Sequence, residues 1–212
     1  MNSQEKEISY KTTTTYSTLN NLSSKTKNVW FVCHGMGYLS RYFLKYFKSL
    51  NVEENYIIAP QAPSKYYIQP KMHVGANWLT RDNTMADTEN IMNYFDAILE
   101  AEKIPGDINF IVLGYSQGVS VAMRYLAKRQ LSCEQLVLHS GGIPKELMSE
   151  DFKYLPHSTQ VKLIYGTEDE YLDKHRIEAE TKRAKELFGD RAKIIAFDGK
   201  HVVNVDLIND LV

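Results

Sequence analysis

The sequence contains no apolar run that approaches the roughly 20 residues a membrane-spanning helix requires. Residues 1–15 are polar and charged and lack the apolar core of a signal peptide. The sequence therefore predicts a protein without integral membrane association. We expect a cytoplasmic location.

Cysteine is scarce, because only Cys33 and Cys133 occur in the chain, and a disulfide framework in a small secreted protein needs more. Both lie in apolar segments that we interpret as buried strands, so we expect two buried thiols in a reducing compartment. The chain also has no His-Glu-x-x-His and no paired cysteine motif. No metal and no other cofactor is predicted.

Neither basic nor acidic residues are in excess. The 25 basic and 26 acidic residues give a formal net charge of −1, and no basic run stands out, which argues against nucleic acid and anionic membranes as partners. With 212 residues, 43% of them hydrophobic, the chain suits a single domain over residues 1–212. We expect residues 1–7 to be flexible and the protein to be a monomer or a homodimer.

Short apolar runs alternate with helical patterns along the chain. The runs at 29–33 and 108–113 are typical of strands that are buried on both faces. Further strands are predicted at 8–17, 56–59, 135–139, 161–165 and 192–197, and helices at 40–50, 84–103, 117–130, 173–188 and 201–211. This alternation predicts an α/β fold with a mostly parallel central sheet and helices on both faces. Residues 60–83 are predicted to be a long irregular connection, and Thr84 to cap the helix that follows.

The most informative motif is Gly-Tyr-Ser-Gln-Gly at residues 114–118, between an apolar strand and a helix. A serine nucleophile requires this strand–turn–helix context, because the sharp turn lifts the hydroxyl clear of the sheet. The glycines at both ends avoid collisions with the neighbouring strand and helix. We interpret Ser116 as the nucleophile of an acyl-transfer enzyme, and Tyr115 beside it as a candidate substrate contact.

Acyl transfer also needs two backbone N–H groups that stabilise the negative oxygen of the tetrahedral intermediate. Gln117, which follows the nucleophile, is predicted to supply one. An earlier strand ends in His-Gly-Met-Gly at residues 34–37, and Met36 is predicted to supply the other. His34 precedes this loop, so we expect it to brace the loop instead of acting as the base.

The acid and the base are expected after later strands, in the chain order serine, acid, histidine. The run Gly-Thr-Glu-Asp-Glu at 166–170 makes Asp169 the best acid candidate, with Glu168 and Asp173 as rivals. Of the six histidines only His201 follows a strand that comes after the acid, so we predict it to be the general base. Each gap between the three residues spans whole strand–helix units, which allows all of them to return to one edge of the sheet.

These motifs, together with Gly-Lys-His at 199–201, resemble the phospholipase/carboxylesterase family of α/β hydrolases, which includes small bacterial carboxylesterases and acyl-protein thioesterases. The resemblance spans roughly residues 28–212 and implies an α/β-hydrolase fold without a large lid domain, and a serine esterase. Trp78 resembles the pocket tryptophan of that family. The chain departs from the family in two places. Tyr-Leu-Ser follows the 34–37 loop, where the family usually has an acidic residue, and Tyr115 replaces the usual phenylalanine before the nucleophile. The family's substrate preference therefore does not carry over.

The substrate is expected to be a small ester or thioester. In the long connection, the apolar residues that could line an acyl groove are Tyr66, Tyr67, Ile68, Met72 and Trp78. An open groove favours small or single-chain esters over bulky triglycerides. Two alternatives stay open: a catalytically silent domain that binds a ligand or partner, and an acyltransferase or amidase that uses the same three residues.

Overall fold

The computed structural model describes residues 3–212. Within them the strands are β1 (Tyr16–Leu19), β2 (Asn28–Cys33), β3 (Asn55–Pro60), β4 (Ser64–Ile68), β5 (His73–Asn77), β6 (Asn109–Tyr115), β7 (Gln135–His139), β8 (Gln160–Gly166) and β9 (Ala192–Phe197). The helices are α1 (Ser40–Phe43), α2 (Thr84–Glu102), α3 (Gln117–Arg129), α4 (Lys174–Phe188) and α5 (Val205–Asn209). Short 3₁₀ turns occur at Leu44–Phe47, Ser149–Phe152 and Gly189–Arg191.

Seven strands form one sheet in the order β1-β3-β2-β6-β7-β8-β9. All neighbours in it are parallel except β1, which pairs antiparallel with β3 at one edge. The predicted α/β fold with a mostly parallel sheet is therefore confirmed. Strands β4 and β5 form a separate antiparallel hairpin.

The two faces of the sheet are buried under different helices because successive strand residues point to opposite sides. In β2, Phe31 packs into a core that includes residues of α2, α3 and α4. Its neighbour Trp30 packs into a second core with α1, the adjoining 3₁₀ turn and α5. Both side chains have no solvent exposure, so β2 is buried on both faces, as its continuous apolar run predicted.

The carboxyl ends of the central strands lie at one edge of the sheet. Cys33 of β2 is level with Gly114 of β6, and Tyr115 of β6 is level with His139 of β7. Strand β2 lies between β3 and β6, so the chain reverses its winding direction beside it. In open α/β sheets, ligands bind in the crevice at such a reversal. The predicted functional loops follow these same strands.

Several predicted boundaries were wrong. The first strand covers Tyr16–Leu19 instead of residues 8–17, and residues 3–15 form neither helix nor strand. The predicted irregular connection 60–83 contains the hairpin of β4 and β5. The last helix, predicted at 201–211, is restricted to α5. The prediction for residues 1–7 falls in part on residues 1 and 2, which lie outside the described residues.

Two local predictions also need correction. Asn83, in a left-handed conformation, precedes α2 as its cap residue, and the Thr84 hydroxyl instead donates to the carbonyl of Thr80. Cys33 lies at the end of β2 as expected, whereas Cys133 lies in the loop before β7. Both cysteines are free and buried, and burial raises the pKa of both thiols, which keeps them protonated.

Candidate active site

The turn between β6 and α3 is strained at Ser116, whose φ of 53° and ψ of −120° are rarely adopted by residues with a side chain. A Cβ atom at Gly114 would collide with the backbone of Val119, and one at Gly118 would collide with the carbonyl of Cys33. The backbone N–H of Ser116 donates to the backbone carbonyl of His139 at 2.8 Å. The predicted reason for both glycines is thus confirmed, because they let the strand and the helix approach closely enough to hold the turn.

Three side chains form a hydrogen-bonded chain at this edge of the sheet. The Ser116 Oγ atom lies 3.0 Å from His201 Nε2, and His201 Nδ1 lies 2.7 Å from Asp169 Oδ2. The other carboxylate oxygen, Asp169 Oδ1, accepts hydrogen bonds from the backbone N–H groups of Tyr171 and Leu172. The Asp169 side chain is fully buried and the imidazole is 13% exposed. These bonds fix the carboxylate, and a small part of the imidazole stays exposed.

The two rival acids have other positions. Glu168 is exposed at the surface. Asp173 caps α4, where its side chain accepts a hydrogen bond from the backbone N–H of Arg176. Only Asp169 of the three candidates contacts the imidazole of His201.

His201 is also held by two tyrosines and, through its loop, by a second histidine. The ring of Tyr171 lies edge-on to it at 4.8 Å, and the ring of Tyr115 lies 5.3 Å away. The Tyr115 hydroxyl donates to the carbonyl of His201 at 3.0 Å. The backbone N–H of Asn204, three residues further on, donates to His139 Nε2. Sequence reasoning missed the roles of His139 and Tyr171.

His34 supports the loop over residues 34–37. The backbone N–H of Ala62 donates to His34 Nε2, so its Nδ1–H donates to the carbonyl of Gly35 at 2.8 Å. Burial lowers the pKa of His34 to about 4, because a charged imidazole would lose its hydration there. The neutral ring therefore fixes the loop, in agreement with its predicted bracing position.

The backbone N–H groups of Met36 and Gln117, on either side of Ser116, have no hydrogen-bond partner within residues 3–212. Gly35 packs against Tyr115 and Ser116, where an added Cβ would lie 3.0–3.1 Å from their side chains. The loop that carries Met36 is therefore close to the serine. Unpaired N–H groups in such a place are available to a negatively charged oxygen.

The Gln117 side chain ties this region to the hairpin. Its Oε1 accepts from the backbone N–H of Trp78, while its Nε2 donates to Asn77 Oδ1 and to the carbonyl of Leu79. The backbone N–H of Gly37 in turn donates to the carbonyl of Ala76. The end of β5 is therefore fastened both to the start of α3 and to the 34–37 loop.

We expected Trp78 and Tyr115 to contact substrate, but both side chains are buried. Their exposures are only 1% and 2%. The Trp78 indole N–H donates to the carbonyl of His34, and its ring packs on Phe95. Side chains buried in this way support the site from beneath and do not line an open groove.

The two other predicted substrate contacts, Tyr66 and Met72, are exposed on the hairpin at 39% and 49%. An added Cβ on Gly37 would lie 3.7 Å from the Tyr66 hydroxyl, so this ring lies beside the 34–37 loop. Met72 lines an open groove of about 440 Å³ between the hairpin and α1. Both residues therefore lie on the side of Gly37, and their contact with substrate stays a prediction.

The arrangement pairs a strained serine hydroxyl with a histidine that a buried carboxylate orients, beside two free N–H donors. This set of groups suits nucleophilic attack on a carbonyl carbon. In the described part of the chain, no three His, Cys, Asp or Glu side chains are grouped so as to hold a metal ion. No helix there is long and apolar enough to span a bilayer.

A family model for phospholipase/carboxylesterase matches residues 15–211. No curated protein matches the chain in sequence. Among solved structures, acyl-protein thioesterase 2 of Zea mays is similar with a TM-score of 0.70 and 16% identity, over 92% of this chain and 95% of that one. Esterase PE8 gives a TM-score of 0.66 at 19% identity over 92% and 95%. A phospholipase/carboxylesterase from Dyadobacter fermentans gives 0.61 at 18% identity over 92% and 94%.

Proposed function

The chain belongs to the phospholipase/carboxylesterase family, and we propose that it cleaves carboxylic ester or thioester bonds through an acyl-enzyme formed on Ser116. The family and the similar structures support a hydrolase of the esterase or thioesterase kind with an α/β-hydrolase fold. The observation that supports an acyl-enzyme on Ser116 is the hydrogen-bonded chain from Ser116 through His201 to Asp169.

In the first half-reaction His201 Nε2 takes the proton of the Ser116 hydroxyl while Oγ attacks the acyl carbonyl carbon. The carbonyl oxygen becomes negative and accepts hydrogen bonds from the Met36 and Gln117 N–H groups. Asp169 stabilises the imidazolium and holds its tautomer. The tetrahedral intermediate then collapses, and His201 gives its proton to the departing alcohol or thiol.

The second half-reaction releases the acyl group. His201 takes a proton from a water molecule, whose oxygen attacks the acyl carbon on Ser116. The same two N–H groups stabilise the second tetrahedral intermediate. Collapse returns the proton from His201 to Ser116 Oγ and frees the carboxylic acid.

Small or single-chain esters are the substrates that this geometry favours, because the groove beside Gly37 is open and Tyr66 and Met72 offer apolar contacts at its side. Short monoesters are expected to react faster than long triglycerides. A faster reaction with long triglycerides would contradict this preference.

The activity is tested with matched ester, thioester and amide substrates on the wild-type protein, Ser116→Ala and His201→Gln. Esters or thioesters should be hydrolysed, and each variant should lose at least about a thousand-fold in kcat. Ser158→Ala, an exposed serine, is the control and should keep full activity. Inactivity on all three classes would favour a silent ligand-binding domain. Preference for amides, or transfer to an acceptor other than water, would favour an amidase or acyltransferase.

A further inference from the structure

The groove beside the 34–37 loop has a lining that mixes apolar walls with a cationic group. Its walls are formed by residues of that loop, of α1 and of the hairpin, namely Gly37, Leu39, Arg41, Tyr42, Met72, His73 and Val74. At about 440 Å³ it is large enough for part of a small ligand. None of these seven residues carries a carboxylate.

This groove adjoins the point of the proposed reaction. Gly37 directly follows Met36, whose N–H is free, and Gly35 packs against the Ser116 side chain. The Cα atoms of Gly35 and Gly37 are two residues apart in the chain and so within about 7 Å of each other. An ester bound at Ser116 can therefore reach the groove with one arm of only a few bonds.

Arg41 is the cation of the groove. Its guanidinium lies over the ring of Tyr42, 4.8 Å from the ring centre. Among the ion pairs of the described residues, none includes Arg41. His73 adds an imidazole that can donate a hydrogen bond in either protonation state. A guanidinium held on an aromatic ring and without a carboxylate partner is available to an anion.

The segments that form the groove add to this positive potential, although the protein as a whole is nearly neutral. Helix α1 and the adjoining 3₁₀ turn carry Arg41 and Lys45, and the hairpin carries Lys65 and Lys71. Residues 40–47 and 64–77 contain no acidic residue. Charge of one sign around a cleft attracts an oppositely charged substrate.

We propose that the groove beside the 34–37 loop binds a negatively charged arm of the substrate, so that the enzyme prefers esters carrying a carboxylate or phosphate a few bonds from the scissile carbonyl. The inference rests on the proposed esterase function and names its substrate class. Arg41 pairs with the anion through two N–H groups, and His73 donates a further hydrogen bond. Leu39, Met72 and Val74 contact the carbon chain between the anion and the ester.

Two matched pairs of substrates test this preference. The p-nitrophenyl monoester of adipic acid is compared with p-nitrophenyl hexanoate, which differs in having a methyl group in place of the terminal carboxylate. Monohexanoylglycerol phosphate is compared with monohexanoylglycerol. The first pair puts the charge on the acyl side and the second on the alcohol side, so the pair that shows the preference identifies the arm that enters the groove.

The variants are Arg41→Gln and, as a matched control, Lys45→Gln. Lys45 lies one turn further along, stacks on Tyr46 and does not line the groove. For the preferred anionic ester, Arg41→Gln should lower kcat/KM about five-fold and leave the neutral partner unchanged. Lys45→Gln should leave both unchanged, and Arg41→Lys should restore part of the loss.

Three results would overturn the inference. They are equal rates within both pairs, an equal loss on anionic and neutral esters in Arg41→Gln, and the same loss in Lys45→Gln. Failure of the wild-type protein to hydrolyse any of the four esters would overturn the proposed function and this inference with it. Hydrolysis of the neutral esters without a preference for the anionic ones would overturn the inference alone.

Discussion

The hydroxyl of Tyr115 donates a hydrogen bond to the carbonyl oxygen of His201 at 3.0 Å. Tyr115 directly precedes Ser116, and its ring also lies beside the imidazole of His201. One side chain on the serine's own strand therefore holds the loop that carries the proposed base. The distance from Ser116 to His201 depends in part on this bond.

We expect Tyr115→Phe to lower kcat about five-fold with little change in KM, because a net hydrogen bond contributes about 1 kcal/mol and its loss loosens the His201 loop. The ring and its packing are retained. Steady-state kinetics on a small ester measure the effect. Tyr154→Phe is the matched control, since that hydroxyl donates to the carbonyl of Leu126 on α3. A similar loss of kcat in both variants would mean that the Tyr115 hydrogen bond affects catalysis only through the stability of the fold.

Asp169→Asn should lower kcat by about ten-thousand-fold, since an amide neither holds the productive tautomer of His201 nor stabilises its charged form. Asp173→Asn should leave kcat unchanged, because Asp173 caps α4 and does not contact the imidazole. Single-turnover rates on an activated ester measure both. A loss below about ten-fold for Asp169→Asn would remove Asp169 from the proposed mechanism.

The protein should lose stability as the pH falls from about 7 to 4. Burial lowers the pKa of His139 to about 3, helped by the neighbouring His201, and burial lowers the pKa of His34 to about 4. The unfolded chain takes up protons at these histidines near their ordinary pKa of about 6.5, whereas the folded chain does not. Protons bound only by the unfolded state favour unfolding. At pH 5 each of the two histidines lowers the free energy of unfolding by about 2 kcal/mol.

Urea unfolding at several pH values measures the slope of the unfolding free energy against pH. His139→Gln, which keeps an acceptor for the Asn204 N–H, should flatten it by about half. His157→Gln, at an exposed position, should leave the slope as it is. The same slope in all three proteins would mean that His139 does not control it.

Gly118→Ala should destabilise the protein by several kcal/mol or prevent folding, because the added Cβ would overlap the carbonyl of Cys33 in the neighbouring strand. Gly106→Ala adds the same methyl group where no atom lies within 4 Å, so it should change stability by less than about 1 kcal/mol. Thermal unfolding compares the two. Equal melting temperatures would contradict the close packing of β2 against α3.

The sequence alone predicted the parts of the fold that depend on local pattern. Strand β9 was predicted with its true bounds, and the alternation of strands and helices predicted the mostly parallel sheet. The hairpin of β4 and β5 was missed because most of its side chains are exposed and lack the apolar signal of a buried strand. The first strand was misplaced because Thr and Tyr propensity cannot tell which part of residues 8–19 pairs with β3.

The grouping of the three proposed catalytic side chains was predictable, because chain order and strand ends carry that information. The structure brings together the side chains of Ser116, Asp169 and His201, which lie up to 85 residues apart. The supporting contacts were not predictable, since the bond from Asn204 to His139 joins positions 65 residues apart with no motif between them. Likewise, a sequence does not reveal which way Trp78 faces, and its indole is turned into the core.

The most direct measurement is labelling with a fluorophosphonate probe, followed by mass spectrometry of the peptides. The proposed mechanism predicts one phosphonyl adduct, on Ser116, and no labelling of Ser116→Ala or of protein unfolded in urea. His201→Gln should slow the labelling strongly, since the base is missing. An absence of labelling in the folded wild-type protein, or an adduct that persists on another residue in Ser116→Ala, would contradict the role of Ser116 as the nucleophile.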